Sequence, residues 1–392
     1  MLVGLVINLW VLFIFLIMKI KSLKLKNYRN FDNLDIELCD GLNIFIGNNA
    51  QGKSNILESI FVLALTKSYM NVKDQNLIKH NCDFSLIKGT VSYNAISSTL
   101  EVISTANSKK LRVNGVEIKK YSDYLSRIKV LIFSPYNVNF VKDGPNVRRK
   151  SVNMIISQIS NHYVNLLQNY NAILKKRNQF LKMVNILNDT NAIYWNNINN
   201  KFSELAVEIM LKRYDYVVSI NKYLKDIYKE ITSYDNLEFC YLPNFNFNNF
   251  DNLKEEFNKK LNSMYEREKM YGMTLIGPHR DDFSFLLDDK DLSVYGSQGQ
   301  IRSAILSLKL SEVFLFKKID EDYPILLLDD IFSELDIEKR NRLVKYIMDD
   351  VQTIITTTDI HMIDEALVEK AKVFNVCGGM IVNDGKKECK DE

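Results

Sequence analysis

The sequence predicts an α/β fold in which a P-loop ATPase head is split by an antiparallel helical arm. Three observations carry that prediction. An apolar strand, a glycine-rich turn and an apolar helix follow one another at 42–65. A second apolar strand ending in two acids, ILLLDD, comes far later, at 325–330. Between them a seam of apolar residues spaced alternately four and three runs from Val152 to Leu187.

Residues 42–54 read LNIFIGNNAQGKS, and the turn fits G-x-x-x-x-G-K-[ST] with Gly47, Gly52, Lys53 and Ser54. The glycines let the backbone curl so that successive N–H groups point inward. The helix that begins there adds the positive end of its dipole. Lys53 supplies a point charge for the outer phosphates and Ser54 a hydroxyl for Mg²⁺. Asn48, Asn49, Ala50 and Gln51 complete the loop and Asn55 opens the helix, so all of 47–55 is expected around the triphosphate of ATP. The bland alternative is a glycine turn with a surface lysine. The strand–loop–helix context counts against it.

A chain of 392 residues suffices for two or three domains. Its net charge of +3 does not by itself argue for nucleic acid, so any such contact must come from local basic patches. The five cysteines form no C-x-x-C pair, and the four histidines are scattered. That suits a reducing cytoplasm and offers no metal-ligand cluster of the zinc type.

Taken in order, residues 1–17 are almost wholly apolar and a basic, alternating segment follows at 19–28. The reading adopted is an over-extended start, with translation from Met18; the alternative is a membrane segment. Residues 18–147 form lobe I of the head, with strands expected at 85–93, 98–104, 111–113 and 129–133. Val113-Asn114-Gly115-Val116 is a hairpin signal. The arm occupies 148–270. Its first helix is expected to follow the seam without a break, with one charged interruption at Arg177. A turn is expected at 188–191, a second helix to about 231, a strand at 237–242 and a helix at 253–269. Lobe II spans 271–385, with a strand at 283–287 and helices at 301–319, 339–348 and 362–372. A β-branched strand lies at 353–357, and 386–392 reads as a disordered tail.

ILLLDD is a Walker B pattern, expected beside the P-loop strand. It would deliver Asp329 to the Mg²⁺ shell and Asp330 as general base for the attacking water. Lys53 and Asp330 are thus the candidate catalytic pair. Gly296-Ser297-Gln298-Gly299-Gln300 opens a helix. Ser297 is placed as N-cap, and the helix start is a possible second anion site. These residues resemble the ABC signature, which in that class faces the nucleotide of a second subunit. Ser333 and Asp336 match the D-loop that crosses the same interface. The head is therefore of ABC/SMC type.

KLKNYRNF (24–31), IGNNAQGKSN (46–55), RVNG (112–115), FSP (133–135), GPHRDD (277–282), SQGQIRSAILSLKLSE (297–312), LLLDDIFSELD (326–336) and QTIITTTD (352–359) together resemble the RecF family. The resemblance implies a cytoplasmic, weak, DNA-stimulated ATPase that forms a homodimer on binding ATP. It implies action with RecO and RecR at single-strand gaps and duplex junctions, promoting RecA loading in repair, replication restart and the SOS response. It places Arg29 and Asn30 near the nucleotide. The chain departs from the family at Met70, where an arginine is usual, and at Lys150-Ser151-Val152-Asn153 after Arg148-Arg149. Thr358-Asp359 stands at the switch position, as in the family, with His361 two residues later.

Candidate DNA-facing groups are Lys109, Lys110 and Arg112; Arg148, Arg149 and Lys150; and Lys175, Lys176 and Arg177. With no recognition motif, contact with single- or double-stranded DNA is expected to be to phosphates, insensitive to sequence and strongly salt-dependent. Two competing classes are an ATP-gated structural DNA clamp and the nucleotide-binding subunit of a membrane transporter. The long arm and the wide gap between the two ATPase motifs count against the transporter.

Overall fold

The computed structural model describes residues 18–93, 96–125, 127–184, 192–234, 236–247, 250–320, 323–346 and 351–382. The expectations for 1–17, for the turn at 188–191 and for 386–392 lie outside these residues. Among the described residues no helix is long and apolar enough to cross a membrane.

Lobe I opens with β1 (Met18–Tyr28), β2 (Phe31–Glu37) and β3 (Leu42–Ile46), followed by α1 (Lys53–Leu65). An antiparallel set comes next: β4 (Phe84–Tyr93), β5 (Ile96–Thr105), β6 (Lys109–Val113) and β7 (Val116–Glu117). Asn114 (φ 50°) and Gly115 (φ 80°) make the β6–β7 turn, as a tight hairpin demands. The lobe closes with β8 (Val130–Phe133) and α2 (Asn139–Lys142).

The arm contains α3 (Pro145–Ile159), α4 (Asn161–Val184), α5 (Ala192–Thr232), β9 (Leu237–Leu242), α6 (Leu253–Ser263) and α7 (Tyr265–Tyr271). The predicted unbroken first helix is two helices. Ser160 is extended (φ −138°), and its hydroxyl accepts from Tyr163 N at 3.3 Å. Ser160 and Asn161 carry short polar side chains that compete with helical backbone bonds, so the chain breaks there although the apolar seam continues. The predicted helix at 253–269 is likewise interrupted at Met264.

Beyond the arm come β10 (Asp282–Leu287), β11 (Lys290–Asp291), α8 (Leu292–Tyr295), α9 (Gln298–Asp320), β12 (Ile325–Asp329), α10 (Ile331–Glu334) and α11 (Ile337–Tyr346). The chain continues through β13 (Thr353–Thr357), α12 (Glu365–Glu369), β14 (Lys372–Cys377) and β15 (Met380–Val382). The helix expected at 362–372 is only the short α12, and two strands, β14 and β15, follow it.

Among the described residues the strands form three sheets. One has the order β2-β1-β4-β5-β6-β7, one β11-β10-β9, and the central one β15-β14-β3-β13-β12-β8. All neighbours in the central sheet are parallel except β14 and β15. The expectation that the Walker B strand lies beside the P-loop strand is corrected here, because β13 pairs with both and separates them. Alternation along β12 explains its unbroken apolar run. Ile325 and Leu327 enter a core shared with α1 and the first sheet, while Leu326 and Leu328 enter the core shared with α5 and α9. Helix α1 is therefore packed between two sheets, which fixes the P-loop against both.

The GPHRDD run joins arm to head through buried polar contacts. Gly277 (φ +125°) is in a conformation that favours glycine, and a Cβ there would meet the Tyr170 hydroxyl at 2.9 Å. Asp281 is fully buried against Arg213 (3.2 Å) and accepts from Asn244 N (3.0 Å) and from the Tyr241 hydroxyl. His279 Nδ1 lies 2.6 Å from the Tyr170 hydroxyl. Burial lowers its pKa to about 4, opposed by the Thr274 carbonyl and reinforced by Arg280, Arg149 and Arg177. A folded-state pKa below the unfolded value means that the unfolded chain binds the proton first. His279 thus contributes stability fully above pH ~6.5 and loses it as pH falls towards about 4. Urea titrations from pH 7 to pH 4.5 are expected to show a decline of order 2 kcal/mol that His279→Gln flattens. Parallel declines in both chains would overturn this assignment.

Candidate functional site

The P-loop follows β3 directly. Ala50 (φ 64°) and Gly52 (φ 111°) curl the backbone, and a Cβ on Gly52 would meet the Asn30 amide at 2.6 Å. A Cβ on Gly47 would meet the Val376 carbonyl of β14 at 2.3 Å, so both glycines of the motif are required by close packing. The turn between β14 and β15 clamps the loop from outside, with Gly379 N donating to Gln51 O at 3.1 Å. Asn30 clamps it from lobe I: its Nδ2 donates to Gln51 O (3.0 Å) and its Oδ1 accepts from Asn55 (2.9 Å). Asn48, Asn49, Ala50 and Gln51 form the curl between the glycines.

Helix α1 has Gly52 as N-cap and no side-chain cap hydrogen bond, so its first-turn N–H groups are available to an anion. Lys53 is only 6% exposed, and its Nζ donates to Gly47 O (2.6 Å) and Asn48 O (2.7 Å) within the curl. Burial lowers its pKa, against the attraction of Asp330 and Asp329. A cation in a curl of inward N–H groups, at an uncapped helix start, is a cradle for a polyphosphate. The residues present therefore fit ATP.

The far lobe completes the site. Ser54 Oγ donates to Asp329 Oδ1 at 2.7 Å, and Thr356 Oγ1 donates to the same oxygen at 2.9 Å. The Tyr69 hydroxyl donates to Asp329 Oδ2 at 2.7 Å. A serine hydroxyl beside a carboxylate at the phosphate end of the loop is the donor set a hard cation such as Mg²⁺ takes. Asp330 sits in the left-handed region (φ 48°) and, among the described residues, its buried Oδ1 has no hydrogen-bond partner. Burial raises its pKa, against the Ser333 hydroxyl and Lys53. Such a carboxylate suits the acceptance of a proton.

The neighbouring Arg29 is committed within lobe I. Its guanidinium is bidentate on the buried Glu58, at 2.8 and 2.6 Å. Glu58 also accepts from Tyr28 (2.9 Å) and from Ser68. Sequence reasoning missed Tyr69, Thr356 and Glu58. Glu58 left a trace as a lone acid in the apolar run ILESIFVLAL, and Thr356 lies inside QTIITTTD (352–359).

The signature stands apart from this site. Ser297 caps α9 in a capping box with Gln300: Gln300 N donates to Ser297 Oγ (3.2 Å) and Ser297 N to Gln300 Oε1 (2.8 Å). Ser297, Gly299 and Gln300 line a cleft with Asp336, while Gln298 forms the first turn beside them. Asp336 caps α11, accepting from Lys339 N at 2.9 Å, and Ser333 Oγ donates to Asp330 O at 2.7 Å.

The basic clusters divide. Arg177 is fully buried, bonded to Glu268, to Thr274 (2.7 Å) and to Asn199 (2.8 Å). Its assignment as a DNA-facing group is therefore corrected: it neutralises a buried acid and stacks over Trp195 (4.9 Å). Arg148 is paired with Asp282 (2.6 Å) and Arg149 donates to Asp281 O (2.6 Å). Lys109 is held by Thr66 O and by Asp74 (2.7 Å), and Arg112 lies near Glu101 (3.9 Å). Lys110, Lys150, Lys175 and Lys176 are exposed. Lys109, Arg149 and Lys150 line one groove between lobe I and the arm, and the Lys175–Lys176 pair lies elsewhere on α4.

The sequence profile of the RecF/RecN/SMC N terminal domain matches residues 19–381. The DNA replication and repair protein RecF of Clostridium botulinum is 40% identical over 369 residues, covering 93% of this chain and 100% of the relative. That of Ligilactobacillus salivarius is 35% identical over 379 residues, covering 96% and 100%. A solved structure of the recombination mediator protein RecF-ATP in the RecFOR pathway is similar with a TM-score of 0.85 and 30% identity, covering 93% of this chain and 97% of that one. An Smc head domain from Pyrococcus furiosus shares the fold at a TM-score of 0.52 and 14% identity. A P-loop joined across an inserted arm to its acidic strand, matched along nearly the whole length, makes this chain a member of the RecF family.

Proposed function

We propose that this chain is an ATP-dependent, DNA-binding recombination mediator with a slow, DNA-stimulated ATPase. The observation that carries the reading is the Ser54–Asp329 hydrogen bond, which brings the two halves of one nucleotide site together from opposite sides of the arm. Lys53, the loop 47–52 and the N-terminus of α1 bind the triphosphate, and Asn30 and Asn55 hold the loop in shape. Ser54 and Asp329 would hold Mg²⁺, which when bound offsets the charge of the phosphates. Asp330 accepts the proton of the attacking water at Oδ1, which has no hydrogen-bond partner among the described residues. Ser297–Gln300, with Ser333 and Asp336, meets the nucleotide of a second copy, so ATP closes a homodimer.

DNA, single- or double-stranded, is held through phosphates by Lys110, Lys150, Lys175 and Lys176. Lys109, Arg112, Arg148 and Arg149 contribute field from their paired positions. The partners are RecO and RecR, and through them RecA, in the cytoplasm. The related structure bound to ATP and the RecF relatives support this reading.

Asp330→Asn tests it, since the substitution preserves shape and removes the proton acceptor. Loss of a general base slows turnover by about 10²–10⁴. The variant is expected to retain ATP, remain dimeric in gel filtration with light scattering, and stay on DNA at least about tenfold longer than the unaltered chain. An unchanged lifetime on DNA would count against turnover as the release step.

A further inference from the structure

Tyr69 lies in the loop after α1, outside every motif of the nucleotide site. Its ring is edge-on to Phe61 of α1 (centroids 5.4 Å apart) and to Tyr136 (6.3 Å). Packing alone would be served by phenylalanine. The hydroxyl, however, donates to Asp329 Oδ2 at 2.7 Å and lies 3.5 Å from the Ser54 carbonyl. The two oxygens of Asp329 are thus treated differently. Oδ1 takes the hydroxyls of Ser54 and Thr356, and Oδ2 takes Tyr69.

The loop that carries Tyr69 is itself anchored. Ser68 Oγ donates to the buried Glu58 and accepts from Met70 N (3.0 Å), and Glu58 is pinned by Arg29 and Tyr28. The hydroxyl is therefore delivered by a fixed backbone. Its chemistry suits the task. A phenol orients a carboxylate through a neutral donor, whereas lysine or arginine at that position would neutralise it and repel a cation.

We propose that Tyr69 is a positioning residue of the cation site, holding Asp329 Oδ2 so that Oδ1 faces the Ser54 hydroxyl where a divalent cation binds. The inference rests on the reading of Ser54 and Asp329 as the cation ligands. Partners that orient a metal-binding side chain are typically worth 10–100-fold in metal affinity. The ring contacts of Tyr69 with Phe61 and Tyr136 touch neither cation ligand, so they would not alter the magnesium requirement.

The test is binding of a fluorescent ATP analogue to the full chain, titrated with Mg²⁺ and repeated in chelator. Tyr69→Phe is expected to raise the Mg²⁺ concentration for half-maximal tightening by about tenfold or more. Affinity in chelator should change far less than the magnesium requirement, and the thermal unfolding midpoint should fall only by what one lost buried hydrogen bond costs. Asp329→Asn should remove the magnesium response altogether. If Tyr69→Phe leaves the requirement unchanged while Asp329→Asn abolishes the response, the role of Tyr69 is overturned and the cation site stands. If neither changes it, the cation-site reading fails too. Because a variant can lose its fold, 3-fluorotyrosine at position 69 supplies a second readout. Its ¹⁹F resonance is expected to shift when Mg²⁺ is added to the ATP-bound chain, and a resonance indifferent to Mg²⁺ would refute the contact.

Discussion

Lys53→Ala is expected to remove nucleotide binding, lowering affinity for ATP by roughly 100-fold or more. The ammonium supplies charge-assisted hydrogen bonds of about 1.5–3 kcal/mol each, and the curl of backbone N–H groups alone does not replace them. The same change should cost little stability without nucleotide. Lys53 is buried against two carbonyls, and its lowered pKa marks a charge held at a desolvation cost. Calorimetry with ATP, alongside unfolding without it, separates the two effects. Binding within a few-fold of the unaltered chain would sink the phosphate role. A large fall in unfolding midpoint would recast Lys53 as structural. Nucleotide-driven dimerisation, read by light scattering, should vanish with binding.

Arg213→Met is the substitution expected to cost most in stability. Arg213 and Asp281 are 2% and 0% exposed at the side chain, and Arg213 also donates to Pro278 O (2.6 Å) and contacts Asn153 (3.2 Å). Removing one partner leaves an uncompensated buried charge, a loss of about 3–5 kcal/mol. Restoring charge balance with Asp281→Leu as well should recover part of it, because the two changes share one interaction. Urea unfolding of the two single variants and the double variant measures the coupling. A single-variant loss below about 1 kcal/mol would mean that water reaches Asp281. Since this pair ties α5 to the GPHRDD loop, ATP-driven closure should weaken in step with stability.

Much of the site was legible because its chemistry is local. The curl at 47–54 needs two glycines, a lysine and a serine at fixed spacing, and that spacing is readable within a few residues although Val376 and Asn30, far along the chain, also press on the glycines. The capping box of Ser297 and Gln300 and the hairpin at Asn114-Gly115 are local in the same sense. The failures lie where distant segments meet. Arg177 reads as one member of a basic run, but Glu268 lies 91 positions away and converts it to a buried ion pair. Tyr69 carries no motif and Thr356 is one threonine among several in QTIITTTD, and they matter because Asp329 is placed between them.

The sequence by itself determined the class of the molecule: a P-loop head, an inserted helical arm, a second acidic strand and a signature-like helix start. Periodicity and turn chemistry act over a few residues, and those features are written at that scale. Only the tertiary structure decided that β13 separates the P-loop strand from the Walker B strand, and that β14 and β15 brace the loop from outside. It also decided which cations are spent on buried acids, and that the Tyr69 hydroxyl meets Asp329. Strand order in a parallel sheet, and the partner of a buried charge, are set by long-range packing, to which neighbouring residues along the chain are indifferent.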